Sequence, residues 1–385
     1  MAAWRPLASF GVLLLLLLAG CRPGAPAPAP VGLDWRPVVL PQPAGGPGRL
    51  LLRDAAGCAG RWFVVGAVAD PAGNTRPAAW TSDDGLSWRA LPVAPASFYG
   101  RQDVLYAAAC RDGRLAALGA RSGGAHGNPR VSAWTQAGGV ALVEAGSAGD
   151  LSGGVPDGDV ARVAGGPGGW LVVGGAERAP GTWGSADGRV FHRWPVTTGE
   201  ADVTGAAVYD VVAGAGAWWA VGSVIRRGGG VDPVASVWSS ADGRAWRRVT
   251  PPAPDGGAEV QRVAWTGGGP VAVGRSGDGF RAWWSAGGRW SFGDRFGSAG
   301  AGRLSAVRGF GVAGAELWAV VTGGDGCRLW RSPDRGRSWR EAELPAARPP
   351  DARAAVTAQD GRLLLVMDDG RSAGSWVASS PVTVP

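Results

Sequence analysis

Residues that could carry catalytic or metal chemistry are few in this chain. Its 385 residues include only two His and four Cys, and His126 and His192 lie far apart in the sequence. A structural zinc site uses four closely spaced Cys or His ligands, and a serine-type triad needs a His as its base. No cluster of Gly is followed by a helical pattern that would cradle a phosphate. The sequence therefore predicts no metal site, no cofactor and no His-based triad.

Arginine supplies all of the basic charge. The chain has 38 Arg and no Lys against 31 acidic residues, which gives a formal net charge of +7. Arg presents a planar fork of donors that suits carboxylates and phosphates. The lack of Lys and the 67 Gly indicate a GC-rich coding bias, so the charge excess is weak evidence for a polyanionic partner. We therefore predict no nucleic-acid partner.

The N-terminus has the features of an export signal. Arg5 precedes an apolar run from Leu7 to Ala19, which is shorter than the ~20 residues that span a bilayer and is typical of a secretory signal. The run ends in Leu18-Ala19-Gly20-Cys21, which resembles the lipobox of bacterial lipoproteins. The resemblance implies cleavage before Cys21 and attachment of a diacylglycerol to its thiol. The alternative is cleavage by ordinary signal peptidase, with Cys21 incidental.

These features predict three segments. Residues 1–20 are the lipoprotein signal peptide, residues 21–32 are the lipidated Cys and a Pro-rich tether, and residues 33–385 are the folded domain. The tether alternates Ala and Pro, a pattern that favours extended polyproline II. An acylated Cys21 would place the protein on the outer face of the cytoplasmic membrane, with that membrane as its first partner.

A repeat runs through the folded domain. Short apolar runs end at Gly66, Gly119, Gly174, Gly222, Gly274, Thr322 and Met367, so the period is 45 to 55 residues. A second apolar segment precedes each run from the second repeat onward, and Gly-rich turns separate the two, as expected of paired strands. This period is that of four-stranded propeller blades. We predict an all-β, seven-bladed β-propeller whose preceding segments line the central channel.

The ends of the domain indicate how the ring closes. The last repeat stops at a third strand near Trp376, without a hairpin or fourth strand after it. Residues 33–41 resemble the fourth strands of other repeats, such as the segment from Trp339 to Pro345. We therefore expect the N-terminal strand to complete the last blade and remove an open sheet edge.

Hairpins in four repeats share one pattern of residues. The segment Ser332-Pro-Asp334-Arg-Gly336-Arg-Ser338-Trp339 resembles the Asp-box, or BNR repeat, at every defined position. Shorter forms contain Ser82, Asp84, Gly85 and Trp88; Ser185, Asp187 and Gly188; and Ser240, Asp242, Gly243 and Trp246. Ser and Asp side chains can bond the turn's own amides, and Gly supplies the positive φ. The resemblance implies a structural role at the blade periphery.

Asp-box propellers include sialidases, and this raises an enzymatic alternative. A sialidase of that family would need three Arg to clamp the substrate carboxylate, a Tyr nucleophile with a Glu partner, and an Asp as the acid. Arg49, Arg303 and Arg353 could imitate the clamp and Tyr209 the nucleophile, but Gly48-Arg49-Leu50-Leu51 lacks the family's Phe-Arg-Ile-Pro pattern. We therefore predict a non-catalytic binding or assembly platform. The alternative is a sialidase-like exo-glycoside hydrolase.

The 21 Trp allow two interpretations. Indole rings can stack on sugars, which would favour carbohydrate binding, or they can pack between blades. Most of them recur at fixed positions in the repeat, which favours packing. The position before each hairpin is assigned to Trp80, Trp134, Trp183, Trp238, Trp284, Trp330 and Trp376.

Two cysteines occupy equivalent positions in adjacent repeats. Cys58 and Cys110 each lie just before an apolar run, so they should approach within the distance that a disulfide requires. An exported chain meets oxidising conditions. We predict a Cys58–Cys110 disulfide, with Cys327 outside it and without a reactive role.

The channel mouth is the predicted contact surface. Polar residues stand at the start of the innermost strands, and these are Arg49, Asp103, Asp159, Thr204, Glu259, Arg303 and Arg353, with Tyr209 further along one strand. The ring is either a solvated strand entry or a recognition surface for a protein or a cell-surface glycan. We expect the protein to be a monomer.

Lipidation at Cys21 can be tested directly. Cells given a clickable fatty acid should label the wild-type protein, and Cys21→Ala should abolish the label because the acceptor thiol is gone. Labelling that persists in Cys21→Ala would show that the cysteine is incidental.

Overall fold

Seven blades surround a central channel in the computed structural model. It describes residues 28–122, 129–145, 151, 160–174, 181–196, 202–228, 232–254, 256–300, 305–347, 349 and 351–380. Within them, each blade has four antiparallel strands, in sequential order except at the closure of blade 7, and blade 2 has a fifth, parallel strand. The prediction of an all-β, seven-bladed β-propeller is confirmed. Among these residues, no helix is long and apolar enough to cross a membrane.

The strands of the first three blades follow a short N-terminal strand. That strand is β1 (Arg36–Pro37). Blade 1 contains β2 (Arg49–Cys58), β3 (Arg61–Ala69), β4 (Thr75–Ser82) and β5 (Arg89–Leu91). Next come β6 (Val93–Ala94), the 3-10 helix Gly100–Gln102, and blade 2 with β7 (Val104–Arg111), β8 (Arg114–Ser122), β9 (Pro129–Ala137) and β10 (Ala141–Glu144). Blade 3 contains β11 (Val160–Gly166), β12 (Gly169–Gly174), β13 (Gly181–Ser185) and β14 (His192–Pro195).

The remaining blades continue the same order. Blade 4 contains β15 (Val203–Gly214), β16 (Ala217–Arg226), β17 (Val234–Ser240) and β18 (Arg247–Val249). Blade 5 contains β19 (Ala258–Thr266), β20 (Gly269–Ser276), β21 (Gly279–Ala286) and β22 (Arg289–Phe292). Blade 6 contains β23 (Ala306–Ala313), β24 (Glu316–Gly323), β25 (Gly326–Ser332) and β26 (Arg340–Ala342). Blade 7 contains β27 (Arg353–Gln359), β28 (Arg362–Asp368) and β29 (Ala373–Ser379).

Closure of the ring matches the expectation from sequence. β1 pairs antiparallel with β29, with Arg36 opposite Val377 and Pro37 opposite Trp376, so the N-terminal strand is the fourth strand of blade 7. Blade 2 also gains an outer strand, because β6 pairs parallel with β10. Pairing the two ends of the domain in one sheet leaves no unpartnered edge at the junction.

Apolar packing occurs between the faces of neighbouring blades. Each of the seven blade interfaces has its own buried cluster, for example Phe63, Leu105 and Trp134 between blades 1 and 2. Six indoles are fully buried, and these are Trp62, Trp80, Trp134, Trp238, Trp283 and Trp318. Rings enclosed in this way cannot stack on a sugar, so for them the packing interpretation holds.

One Trp assignment was wrong. Trp80 lies opposite Val64, and in blade 5 the equivalent partner Ala272 faces Trp283, not Trp284. The Trp283 indole also donates to the Pro252 carbonyl at 2.8 Å, as the Trp80 indole does to that of Pro41 at 2.7 Å. Trp284 is half-buried outside this position.

The Asp side chains in the four hairpins hold their own turns. Asp84 accepts hydrogen bonds from the Leu86 and Ser87 amides at 2.8 and 2.7 Å, which hold the pKa of its carboxyl well below its usual range. The amide of Gly85, whose φ is 72°, donates to the Ser82 hydroxyl at 2.9 Å. Asp187, Asp242 and Asp334 make corresponding contacts. All of these partners lie within the same hairpin as the Asp, so the four Asp side chains have a structural role.

A disulfide joins the first strands of blades 1 and 2. Cys58 and Cys110 are bonded, with their Cα atoms 5.7 Å apart and a sequence separation of 52. The predicted pairing is therefore confirmed. Closing a loop of this length stabilises a fold by about 4 kcal/mol in the chain-entropy account. Cys327 is buried outside the pair.

The repeated Gly has a specific packing role. In blades 1 to 5, the Gly that ends each apolar run lies opposite the first strand at a β-bulge; these are Gly66, Gly119, Gly174, Gly222 and Gly274. A Cβ on Gly66, Gly222 or Gly274 would stand 1.8, 1.9 or 2.0 Å from a carbonyl oxygen of the facing strand. Only Gly permits the bulged strand to come this close.

Gly222→Ala should therefore be strongly destabilising. The new methyl group would clash with the Ala207 carbonyl and force the strands apart, at a cost of about 1–3 kcal/mol. Gly205→Ala in the same blade is the matched control, because its Cβ would meet only Ile225, at 3.9 Å. Urea unfolding of both variants measures the difference, and equal midpoints would contradict this account.

Candidate functional site

The channel has two chemically different ends. The strands of a blade alternate in direction, so the start of each first strand lies at one end, which we call the mouth face. The 3–4 hairpins lie at the other end, the hairpin face. A cavity of about 320 Å³ opens on the mouth face and includes Glu259, Ala306 and Arg353 from strand starts.

β-bulges aim side chains into this cavity. Six of the seven first strands carry a bulge, and only β27 of blade 7 keeps a regular register. The extra residue of a bulge interrupts the two-residue alternation, so its side chain is re-aimed. One extra residue from each of these six strands lines the cavity, and these are Arg53, Tyr106, Ala161, Tyr209, Gln261 and Arg308. A second bulge in β15, at Thr204, lies outside the cavity lining.

The cavity is strongly positive. Five Arg line it, namely Arg53, Arg162, Arg262, Arg308 and Arg353, whereas Glu259 is the single acidic residue among the described residues that line it. Glu259 accepts a hydrogen bond from the Gln261 side chain at 3.0 Å. Forked guanidinium donors in a concave, half-buried site favour an anionic ligand.

One buried carboxylate offsets part of this charge. Asp368, at the end of β28, has a side chain only 1% exposed and forms ion pairs with Arg49, at 3.3 Å, and with Arg53. Burial lowers the pKa of Arg53 although Asp368 opposes that effect. Removing Asp368 would leave two Arg facing each other, so it anchors this side of the mouth.

Other polar side chains in the channel tie neighbouring blades together. Asp54 accepts the amide of Ala108, in blade 2, at 2.9 Å and also pairs with Arg162. Asp210 accepts the amide of Val263, in blade 5, at 3.0 Å.

Gln261 accepts the amide of Val307, in blade 6, at 2.7 Å. All three hydrogen bonds run from the bulge of one blade to the first strand of the next, which gives these residues a structural role.

The predicted mouth residues divide into three groups. Glu259, Arg353 and Tyr209 line the cavity, and Arg49 lies beside it in its ion pair with Asp368. Thr204 is exposed and donates to the Ile225 carbonyl at 3.3 Å. Asp159, Arg303 and Cys21 lie outside the described residues.

Asp103 does not belong to the mouth surface, which corrects the prediction from sequence. It is fully buried in blade 2, where it accepts hydrogen bonds from the Ser132 hydroxyl and, at 3.3 Å, from the Trp134 indole. Its position just before a first strand suggested exposure, but its side chain turns into the blade. Burial raises the pKa of Asp103 to about 6 despite these two donors.

Sequence reasoning missed most of the cavity. It did not select Arg53, Arg162, Arg262, Arg308 or Gln261. A signal was present, because Arg53-Asp54, Tyr209-Asp210 and Gln261-Arg262 place two polar residues in succession inside apolar strands. A regular strand would send one of each pair into the blade, so such pairs indicate a bulge.

Few of the described side chains in the mouth cavity are placed for catalysis. The Tyr209 hydroxyl lies 3.3 Å from the Ser223 hydroxyl. Over the described part of the chain, no Asp lines the mouth cavity to act as an acid, and no three His, Cys, Asp or Glu side chains are grouped to hold a metal ion.

Comparison with known proteins shows the fold alone. No protein-family model and no curated protein matches the sequence. Solved structures that resemble it include YCF48 bound to a D1 peptide, at 13% identity and a TM-score of 0.54, covering 93% of this chain and 99% of that one.

Two enzymes also resemble it. Pyrococcus horikoshii acylaminoacyl peptidase is 10% identical at a TM-score of 0.50, and the match covers 86% of this chain and 51% of that one. Trypanosoma rangeli sialidase in complex with sialic acid is 12% identical at a TM-score of 0.44, and the match covers 91% of this chain and 60% of that one.

Asp103 should make the stability depend on pH. Its pKa of about 6 in the folded protein exceeds the ~3.9 of an unfolded Asp, so the folded state binds the proton more tightly. Stability should therefore fall by about 2–3 kcal/mol as pH rises from about 4 to about 6, and then level off. Asp103→Asn should flatten this slope in urea titrations, whereas the exposed Asp325→Asn should keep it. A slope unchanged in Asp103→Asn would reject this assignment.

Proposed function

We propose that this protein is a non-catalytic, lipid-anchored propeller outside the cytoplasmic membrane that binds an acidic segment of a protein partner at its mouth. The observation that carries the proposal is the charge of the mouth cavity, where five Arg face one Glu. Four of these Arg come from the interiors of strands in four different blades, so the ring fold itself concentrates the charge.

The size of the cavity favours a short segment over a folded surface. About 320 Å³ is at the lower end of ligand pockets, which span roughly 300–1,000 Å³. Such a space admits one or two side chains or a chain end. Tyr106 and Tyr209 add aromatic surface beside the Arg, a combination common in the energetic centre of protein interfaces.

Two further observations support a tethered binding role. The lipobox-like sequence at Cys21 and the Pro-rich segment after it favour a domain held a short distance from the lipid. YCF48, a propeller with a similar fold, was solved bound to a D1 peptide.

Site-specific photo-crosslinking in intact cells tests the proposal. A photoreactive amino acid in place of Ala306, at the mouth, should give a discrete protein adduct, and the same residue in place of Ala286, exposed on the hairpin face, should not. Arg353→Glu should remove the adduct because it reverses an exposed charge at the mouth, whereas Arg289→Glu should keep it. Adducts that are equal from both faces, or that are indifferent to Arg353→Glu, would refute the proposal.

A sialidase-like activity is the second candidate. The specific observation in its favour is that Tyr209, Glu259 and Arg353 line the same cavity. The purified protein would then hydrolyse fluorogenic sialosides, and Tyr209→Phe would abolish turnover. We expect no turnover from either protein.

A further inference from the structure

A second, more polar chamber lies below the mouth cavity. Its volume is about 170 Å³, and Asp54, Asp210 and three Arg are among its lining residues. Arg162, Arg262 and Arg308 line both the mouth cavity and this chamber. These three residues, from blades 3, 5 and 6, therefore separate the two spaces, and we call them the arginine constriction.

Positive charge exceeds negative charge at the constriction. Asp54 pairs directly with Arg162. Asp210 directs both carboxylate oxygens to backbone amides, those of Val211 at 2.9 Å and Val263 at 3.0 Å. Two carboxylates therefore face three guanidinium groups, and backbone amides already donate to both of these carboxylates.

Arg262 is the least satisfied of the three. It donates to the Gln261 carbonyl at 2.7 Å, but its Nε is buried without a hydrogen-bond partner among the described residues. Burial, followed by repulsion from Arg162, lowers the pKa of Arg262 to about 10, so the group stays charged at pH 7. A buried charged donor without an acceptor is costly, and buried polar groups normally have a partner.

We propose that the arginine constriction is an anion site that binds one small oxyanion, a carboxylate or a phosphate, between Arg162, Arg262 and Arg308. An oxyanion there accepts from forked donors and offsets the repulsion that Arg162 exerts on Arg262. The mouth cavity is its entry path. The anion is either a free ion or a group carried on a larger ligand.

This inference goes beyond the proposed function, because a free ion can occupy the site without a protein partner. The two ideas can therefore fail separately. Anion binding by the purified protein tests the constriction alone, and crosslinking from Ala306 tests the partner alone.

Calorimetric titration of the full chain in detergent with inorganic phosphate and with acetate, at fixed ionic strength, tests the site. At least one of them should bind, and Arg262→Gln should weaken that binding about tenfold or more, as expected when a charge-assisted bond is lost. Arg289→Gln is the matched control and should bind as the wild type does, because Arg289 is exposed on β22 away from the channel.

A second variant keeps the test decisive if Arg262→Gln fails to fold. Arg308→Gln should weaken binding of the same anion, because Arg308 contributes a second guanidinium from the neighbouring blade. Arg262→Lys should restore part of the affinity, since it keeps the charge and loses the fork. Wild-type binding of neither anion at millimolar concentration, or unchanged affinity in both Gln variants, would overturn the proposal.

The source of the anion follows from one more comparison. If Arg262→Gln loses phosphate or acetate binding and keeps the Ala306 crosslink, the site takes a free ion. If it loses both, the partner supplies the oxyanion.

Discussion

The close approach of the first two strands in each blade is the constraint on which the channel depends. A bulge adds one residue to the inner strand, and in five blades a Gly on the second strand gives it room. With any side chain at Gly66 or Gly222, the facing carbonyl would have to move. In these five blades, the Gly that ends the apolar run is thus required for the bulge that places the channel side chains.

The same bulges connect ring cohesion to the chemistry of the channel. Asp54 and Asp210 each bond an amide of the next blade, while their neighbours Arg53 and Tyr209 line the mouth. Of two adjacent residues at one bulge, one therefore bonds the neighbouring blade and the other faces the cavity. Because the two residues are neighbours on one bulge, we expect binding and stability to be coupled at these positions.

Sequence predicted the fold well because its signals are local and repeated. The period of the apolar runs, the match of residues 33–41 to fourth strands and the equivalent positions of Cys58 and Cys110 are each sufficient for the feature they predict. The Trp283-Trp284 pair shows the limit, because two identical neighbours differ only in strand register. Pattern alone assigned the wrong one, and the pairing with Ala272 corrects it.

The candidate site was harder to predict because it depends on departures from regular geometry. Strand alternation places the first residues of each inner strand at the rim, which correctly selected Glu259 and Arg353. It could not select Arg162 or Arg262, since their exposure to the channel depends on bulges that shift the register. The prediction for Asp103 was wrong because strand position placed it at the rim, whereas hydrogen bonds from the Ser132 hydroxyl and the Trp134 indole hold its side chain inside the blade.

The distribution of charge in the channel argues for a ligand more strongly than the net charge of +7 does. An exposed Arg is well solvated and costs the fold little stability, so the number of exposed Arg can follow coding bias. Arg262 is half-buried with its Nε enclosed, and because burial and repulsion from Arg162 both lower its pKa, a charge at this position carries a penalty. Coding bias explains the choice of Arg over Lys, but it does not explain why a penalty of this kind is placed where six bulged strands converge. An anion that the ring binds there provides the compensating interaction.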